Sequence, residues 1–287
     1  MEFALTQPSS GLPSRPLPGV GSLRPQPQPW KRYVAIGDSF TEGMSDRDPA
    51  VEDRYVGWAD RLASLLAPHV DDFAYANLAV RGRKLKDVVT VQADAAIEMQ
   101  PDLVSMVGGG NDILRPKVDL DDLSNQLEAA VIRLRKTGAD VLIATPSDPR
   151  GAPVIKHVRG RMATYSANVW RIAQLHGCYV LNQWSFDFLQ DWRMWSEDRI
   201  HLSTEGHKRV ALAAYTTLGH DPDQADWHVP LPPQQLPGRK DTVRANAEWA
   251  KLYAGPWVQR RLTGKSSGDF VDPKYPSLTP VDPSKDS

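Results

Sequence analysis

A serine near the start of the chain has the setting of an enzymatic nucleophile. The short apolar run Tyr33–Ile36 is followed by Gly37, and Ser39 stands two positions further on. This pattern predicts a buried strand that presents the Ser39 hydroxyl at its carboxyl end. In open α/β sheets, ligands bind at the carboxyl ends of the strands. Ser39 is therefore a candidate nucleophile, which needs a base and an oxyanion hole from elsewhere in the chain.

The best candidate for the base is His201, because an aspartate stands three residues before it. In a turn, the Asp198 carboxylate can fold back onto the Nδ1–H group of His201 and leave Nε2 free for the serine. Such a pair is a weak signal by itself, since both residues can simply begin the helix that follows. The nearby His207 is expected to pack or to form hydrogen bonds within that helix.

Donors for an oxyanion hole are expected from two loops. The glycines of Gly108–Gly110 follow a strand-like run and let the backbone approach a ligand closely, and the Asn111 amide beyond them can donate to a negative oxygen. The alternative is a tight turn with Asn111 in the left-handed conformation. Gly82 ends a second loop, and its N–H group and that of Ser39 are further candidate donors.

Taken together, these segments resemble the four sequence blocks of the SGNH (GDSL-type) hydrolases, in the order of that family. Gly37–Phe40 resembles the block with the nucleophile, and Asn77–Gly82 resembles the block with the oxyanion glycine. Gly109–Asp112 is similar to the block whose asparagine completes the oxyanion hole, and Asp198–His201 to the block with the acid and the base. The resemblance covers about residues 32–218.

The resemblance implies a three-layer α/β/α sandwich with a central parallel sheet, of the flavodoxin-like type. It implies a serine esterase that hydrolyses carboxylic esters, here expected to carry short acyl or acetyl groups, through a triad of Ser39, His201 and Asp198. Ser39, Gly82 and Asn111 would form the oxyanion hole, and no metal or cofactor is expected. An acyltransferase or thioesterase with the same site, and a non-catalytic binding or scaffold protein, remain open as alternatives.

Three further residues are candidates for substrate binding. Asp38 adjoins the predicted nucleophile, and Trp192 and Trp195 lie in the connection that leads to Asp198. Loops that precede catalytic residues often shape ligand sites. Core packing under a loop is the alternative for both tryptophans.

Other enzyme classes fit the sequence less well. The G-x-S-x-G nucleophile elbow of α/β-hydrolases is absent, because the second glycine position holds Thr41. A metal centre would draw on Asp112, Asp198, His201 and His207, which are suitable ligand types. The two histidines are six residues apart, however, so they do not share one face of a helix.

Strand and helix patterns alternate from Arg32 onward, which predicts a parallel sheet covered on both faces. Strands are expected at Tyr33–Ile36, Ala74–Leu78, Leu103–Val107, Val141–Ala144 and Tyr179–Leu181. Helices are expected at residues 58–66, 85–99, 120–134, 161–175, 204–218 and 242–253, with Asp119 and Ser203 as N-caps.

The chain is expected to hold one hydrolase domain between two less regular ends. Residues 1–30 are rich in proline and polar residues and are predicted to form a disordered leader, while residues 31–220 form the domain. Residues 221–287 contain many prolines but also three tryptophans. This extension is therefore predicted to pack on the domain, with its last ten or so residues disordered.

Composition narrows the classes of partner. With a net charge of −1 over 287 residues, the chain has no basic block that would attract nucleic acid. A single cysteine excludes an internal disulfide and a cysteine-rich metal site. No apolar run is long enough to span a membrane and no export signal is recognisable, so a cytoplasmic location is expected. The expected partner is a small-molecule ester, and the oligomeric state is left open.

Overall fold

The computed structural model describes residues 25–152, 155–234, 238–254 and 268–281. Within these ranges the strands are β1 (Arg32–Ile36), β2 (Ala74–Asn77), β3 (Leu103–Met106), β4 (Asp140–Ala144), β5 (Tyr179–Leu181) and β6 (Tyr275–Pro280). They form one sheet in the order β5-β4-β3-β1-β2-β6. The first five strands run parallel, and β6 pairs with β2 in the antiparallel direction. The predicted parallel sheet is thus present, with one added edge strand.

The helices of the described residues are α1 (Ser39–Glu42), α2 (Gly57–Leu66), α3 (Leu85–Asp87), α4 (Ala93–Glu98), α5 (Gly110–Ile113), α6 (Leu120–Lys136), α7 (Arg159–His176), α8 (Thr204–Thr217) and α9 (Arg239–Trp249). π-Helical turns at Val88–Gln92 and Ala250–Ala254 follow α3 and α9. Short 3-10 turns lie at Ala67–His69, Pro149–Gly151, Ile155–Val158, Gln183–Ser185, Asp187–Gln190 and Trp192–Met194. No helix in the described part of the chain has both the length and the apolar character needed to cross a membrane.

Helices cover both faces of the sheet because the strands are apolar on both faces. Every side chain of β1, β3 and β4 is buried except that of Arg32, as expected for parallel strands between two helical layers. On one face, α2 and α8 pack around Trp58 and Val210. On the other, α4, α6 and α7 pack around Val131 and Val169. The predicted three-layer sandwich is confirmed.

Both predicted N-caps are confirmed. Asp119 Oδ1 accepts bonds from the N–H groups of Asp121 and Asp122, each at 3.0 Å, where α6 begins. Ser203 Oγ accepts a bond from the N–H group of Gly206 at 3.3 Å, where α8 begins.

The helix predicted at residues 85–99 differs in detail. It consists of α3, a π-helical turn and α4, rather than one regular α-helix. Such turns often occur at functional sites. Here the turn ends at Gln92, which reaches the loop that carries Ser39 (see below).

The predicted disordered leader, residues 1–30, extends too far along the chain. Residues 1–24 lie outside the described residues, but Trp30 is only 4% exposed, and its Nε1 donates to Asp140 Oδ2 at 3.0 Å. The expectation of a disordered residue 30 is therefore wrong. The proline-rich composition around Trp30 obscures a single aromatic residue that anchors the segment.

The strand β6 is not predicted from the sequence, which places the last ten or so residues in a disordered end. The strand runs to Pro280, and Val281 N donates to Phe73 O at 3.2 Å beyond it. The prolines in β6 obscure its pattern, and an edge strand tolerates them because one of its sides forms no ladder bonds. Residues 282–287 lie outside the described residues.

A substitution at Gly43 can test how closely the end of α1 packs on the start of α2. Gly43 has a φ of +90°, and a Cβ atom there would lie 2.5 Å from Gly57 Cα. Gly138 has a φ of +91°, but a Cβ atom there would meet nothing within 4 Å. A left-handed alanine costs about 1–2 kcal/mol. We expect Gly138→Ala to lower the free energy of unfolding by about that amount and Gly43→Ala to lower it clearly more. Urea denaturation measures both, and equal losses would contradict the close packing.

Candidate active site

The predicted nucleophile lies at the point where the order of the strands reverses. The chain runs from β1 to its neighbour β2 and then crosses to β3 on the opposite side of β1, so the loops after β1 and β3 diverge. Such switch points form ligand-binding crevices at the carboxyl ends of the strands. Ser39, the first residue of α1, follows β1, and Asn111, in α5, follows β3. Ser39 and Asn111 therefore lie at the same edge of the sheet, beside this crevice.

His201 reaches Ser39 across this crevice. Its Nε2 lies 3.1 Å from Ser39 Oγ, and its Nδ1 lies 2.6 Å from Asp198 Oδ2. Because the Asp198 carboxylate accepts the proton on Nδ1, the neutral imidazole has its lone pair on Nε2, where it can accept the serine proton. The structure thus brings together the three residues predicted as a triad, and their catalytic role stays a prediction.

Three further bonds hold the Asp198 carboxylate in place. Its Oδ1 accepts from Ser196 Oγ at 2.6 Å, from Ile200 N at 2.9 Å and from His201 N at 3.0 Å. Burial disfavours the charged form of Asp198 and by itself would raise its pKa. The hydrogen bonds from His201 and Ser196 and the charge of His201 lower the pKa by more. The pKa of Asp198 is therefore well below its usual range. Asp198 is a carboxylate that can orient the imidazole and stabilise its cationic form.

Buried polar side chains fix the turn that carries Ser39. Gln92 accepts a bond from Gly37 N at 2.7 Å and donates one to Gly37 O at 2.9 Å. Asp38 Oδ1 accepts from Phe40 N at 3.1 Å and so caps α1. Burial raises the pKa of Asp38 to about 6. These bonds fix the backbone on both sides of Ser39.

Asn111 connects this turn to the loop of Gly82. Its Nδ2 donates to Asp38 Oδ2 at 3.2 Å and to Arg83 O at 3.0 Å. Since Asp38 adjoins Ser39 and Arg83 adjoins Gly82, one amide links the turn of Ser39 to the loop of Gly82. Gly82 has a φ of +73°, in the left-handed region that favours glycine. The role of Ser39, Gly82 and Asn111 as oxyanion donors stays a prediction.

A cavity of about 220 Å³ opens in front of Ser39 and His201. Trp192 and Trp195, two of the predicted substrate-binding residues, both line it, together with the third, Asp38. Trp195 Nε1 donates to a backbone carbonyl at 2.8 Å, which fixes its ring, and Trp192 is 43% exposed. Other apolar lining residues include Leu114, Ile155, Met162 and Ile200. Of the described oxyanion candidates, Ser39 and Asn111 line the cavity and Gly82 does not.

The helix α9 supplies a wall of the cavity that the sequence analysis does not assign to the site. Trp249, its last residue, lines the cavity, and its Nε1 donates to Asp198 O at 3.0 Å. The Arg199 guanidinium lies 5.6 Å from the ring centroid of Trp192 and 5.1 Å from that of Trp249. A helix at 242–253 and packing tryptophans are predictable from the sequence. The contact of Trp249 with the loop of Asp198 is not, because no local pattern encodes it.

His207 is fully buried and uses both ring nitrogens on backbone groups. Nδ1 accepts from Trp58 N at 3.2 Å, and Nε2 donates to Met44 O at 3.3 Å. These bonds join α8 to α2 and to the loop after α1, whereas the sequence analysis expects packing or hydrogen bonds within α8. Among the described residues, no group of three or more His, Cys, Asp or Glu side chains is placed to hold a metal ion.

Comparisons with known proteins agree with this fold. The model of the GDSL-like lipase/acylhydrolase family matches residues 35–209. The acetylxylan esterase Axe2 from Geobacillus stearothermophilus matches with a TM-score of 0.53 and 21% identity, over 67% of this chain and 95% of that chain. LAE5, an α/β hydrolase from the metagenome of Lake Arreo, Spain, matches with a TM-score of 0.54 and 23% identity, over 66% and 95% of the two chains.

TesA matches with a TM-score of 0.55 and 21% identity, over 66% of this chain and 98% of that chain. Catalytic mutants of Axe2 in which a histidine, a serine or an aspartate is replaced by alanine match with TM-scores of 0.56, 0.55 and 0.55, each at 21% identity over 67% of this chain and 95% of that chain. At these identities the similarity shows a shared fold. A comparison with curated protein sequences gave no match.

The buried ring of His207 makes the fold sensitive to acid. Burial lowers its pKa to about 4, from an ordinary value of 6.5. Between these values the unfolded chain binds a proton that the native state excludes, so the free energy of unfolding falls as the pH drops from about 6.5 towards about 4. We expect His207→Gln to make this fall shallower, in urea denaturation at pH 7, 6 and 5. The exposed His157→Gln serves as the control. A pH dependence in His207→Gln as steep as that of the wild type would contradict this account.

Proposed function

We propose that this chain, which belongs to the GDSL-like lipase/acylhydrolase family, is a serine esterase that hydrolyses short-chain carboxylic esters. Membership of the family makes it a carboxylic ester hydrolase. The observation that carries the finer proposal is the chain of bonds from Ser39 Oγ to His201, at 3.1 Å, and from His201 to Asp198, at 2.6 Å. A binding or scaffold protein would have no need of this geometry.

In the proposed mechanism, His201 Nε2 takes the hydroxyl proton while Ser39 Oγ attacks the acyl carbon of the ester. Asp198 keeps the imidazole oriented and stabilises its positive charge. The tetrahedral intermediate collapses to an acyl ester on Ser39, and His201 gives its proton to the departing alcohol oxygen. Water then attacks the acyl carbon with the same assistance, which releases the acid and restores the Ser39 hydroxyl.

The negative oxygen of the intermediate would be held by the N–H groups of Ser39 and Gly82 and by the Asn111 amide. The two bonds of the Asn111 amide support this assignment, because they tie the loop of Gly82 to the turn of Ser39. Asn111 Nδ2 donates to Asp38 Oδ2 at 3.2 Å and to Arg83 O at 3.0 Å. Donation to the oxyanion therefore requires the longer bond, that to Asp38, to weaken as the intermediate forms.

The size of the cavity supports a small acyl group. Its volume of about 220 Å³ is below the roughly 300–1,000 Å³ of pockets that enclose drug-sized ligands. Axe2, which shares the fold, is an acetylxylan esterase. We propose that Trp192 and Trp195 contact the ester. Asp38 is the weaker candidate for substrate binding, because both of its carboxylate oxygens already accept bonds from Phe40 N and Asn111.

Replacement of the nucleophile tests the proposed function. We expect Ser39→Ala to lower kcat for p-nitrophenyl acetate by at least about 10³-fold, because the substitution removes the hydroxyl that forms the acyl ester in the proposed mechanism. Release of p-nitrophenol measures the rate, and thermal unfolding checks that the variant is folded. Ser185→Ala, which removes an exposed hydroxyl, is the matched control. Hydrolysis by Ser39→Ala at the wild-type rate would disprove the proposal.

Replacement of Asn111 tests the oxyanion hole separately. We expect Asn111→Ala to lower kcat by about 10²–10³-fold with little change in KM, because the amide acts mainly in the transition state. Steady-state kinetics with p-nitrophenyl acetate separates the two constants. Asn125→Ala, at an exposed position of α6, should match the wild type. A variant at position 111 that keeps its kcat would remove Asn111 from the hole.

A further inference from the structure

The segment 268–281, which we call the C-terminal strap, contains the edge strand β6. Its strand β6 pairs with β2, with Tyr75 opposite Thr279 and Asn77 opposite Tyr275. The loop of Gly82 follows β2 directly. The strap therefore runs beside the strand whose following loop carries Gly82.

Lys274 of the strap places its ammonium group in the protein interior. The side chain is 9% exposed, and Nζ lies 2.8 Å from Asp60 Oδ2. Asp60 is itself buried and accepts further bonds from Tyr75 OH at 2.8 Å and Asn77 Nδ2 at 3.2 Å. A buried ammonium needs such partners, since an unpaired charge in the interior is strongly disfavoured.

The same ammonium also binds three backbone carbonyl groups where α1 ends and just before α2 begins. Nζ donates to Glu42 O at 2.7 Å, to Tyr55 O at 2.9 Å and to Val56 O at 2.6 Å. Glu42 is the last residue of α1, whose first residue is Ser39, and Val56 immediately precedes α2. Without a cation, three carbonyl oxygens pointing at one place would repel each other. Lys274 therefore fixes the end of α1 against the start of α2.

The network continues to the loop of Gly82. The Glu42 carboxylate accepts a bond from Arg81 N at 2.6 Å and forms an ion pair with the Arg81 guanidinium. Gly268 of the strap packs directly on Arg81 O, where a Cβ atom would clash. The strap thus touches both the residue that ends α1 and the residue before Gly82.

We propose that Lys274 is a positioning residue for acyl transfer, which holds the helix of Ser39 and the loop of Gly82 in their reactive arrangement. This inference rests on the proposed function. Lys274 touches no reacting atom and acts through the backbone of Glu42, Tyr55 and Val56. A displacement of reacting groups by about 1 Å can cost about 10²-fold in rate. Loss of the ammonium should therefore lower the rate of the chemical step at sites that are still folded.

The test compares Lys274→Met with the wild type in the full chain, with the rate expressed per competent site. Competent sites are counted by stoichiometric reaction with a fluorophosphonate, and kcat and KM are measured with p-nitrophenyl acetate. We expect kcat per labelled site to fall between about 10-fold and about 100-fold, with KM changed by less than about 3-fold. A merely structural role would reduce the number of labelled sites and leave kcat per site unchanged, which would overturn the inference.

A second variant keeps the test decisive if Lys274→Met folds poorly. Asp60→Asn combined with Lys274→Met removes both buried charges, which avoids leaving one of them unpaired. Because the carbonyl groups still lack their donor, we expect the same fall in kcat per site. A wild-type rate in the double variant would overturn the inference. Lys136→Met, on an exposed part of α6, is the control.

Failure of the proposed function gives a different result. If the wild type hydrolyses no ester and Ser39 is not labelled, the proposed function is wrong, and the inference about Lys274 falls with it. If Ser39 of the wild type is labelled and Lys274→Met keeps its kcat per site, the proposed function stands and the inference about Lys274 is wrong.

Discussion

The hydrogen bond between Ser39 Oγ and His201 Nε2 is the constraint on which the rest of the structure depends. It joins residues 162 positions apart, so the fold must bring distant segments together for the two side chains to meet. The parallel strand order brings both loops to the same edge, and the reversal of that order beside β1 opens the crevice between them. Reactive constellations must be held within about 0.5 Å of their working geometry. Elements that touch no substrate are therefore still part of the site.

Buried polar side chains help to hold the loops around Ser39 in place, although apolar side chains would be easier to bury at these positions. Asp46 pairs with Arg61 at 2.8 Å and accepts a bond from Gly57 N at 3.0 Å, and Lys274 pairs with Asp60 nearby. Replacing a buried ion pair by apolar residues is often neutral or stabilising. Stability alone therefore does not account for these pairs. Their bonds to backbone groups near α1 and α2 are consistent with a requirement for one loop conformation around Ser39.

Local sequence patterns are sufficient to predict the parallel sheet and to propose the triad. Apolar runs, capping residues and glycines mark each strand and helix, and Ser39, Asn111, Asp198 and His201 each belong to a short motif that follows a strand or precedes a helix. The rest depends on long-range contacts that no local pattern encodes. Prolines obscure the strand pattern of β6, so its pairing with β2 is not predictable from the sequence. Lys274 cannot be distinguished from a surface lysine in the sequence, because only the fold brings Asp60 beside it. Trp249 is recognisable as a packing residue, but its partner, the loop of Asp198, is 51 residues away.

Covalent capture of the nucleophile tests the central claim most directly. The folded wild-type protein is treated with a fluorophosphonate, and peptide mapping by mass spectrometry locates the adduct, with a urea-unfolded sample treated in parallel. The account predicts one adduct, on Ser39, in the folded protein and none in the unfolded one, because the hydroxyl is reactive only beside His201. An adduct on a different residue, or equal labelling of Ser39 in the folded and unfolded samples, would contradict it.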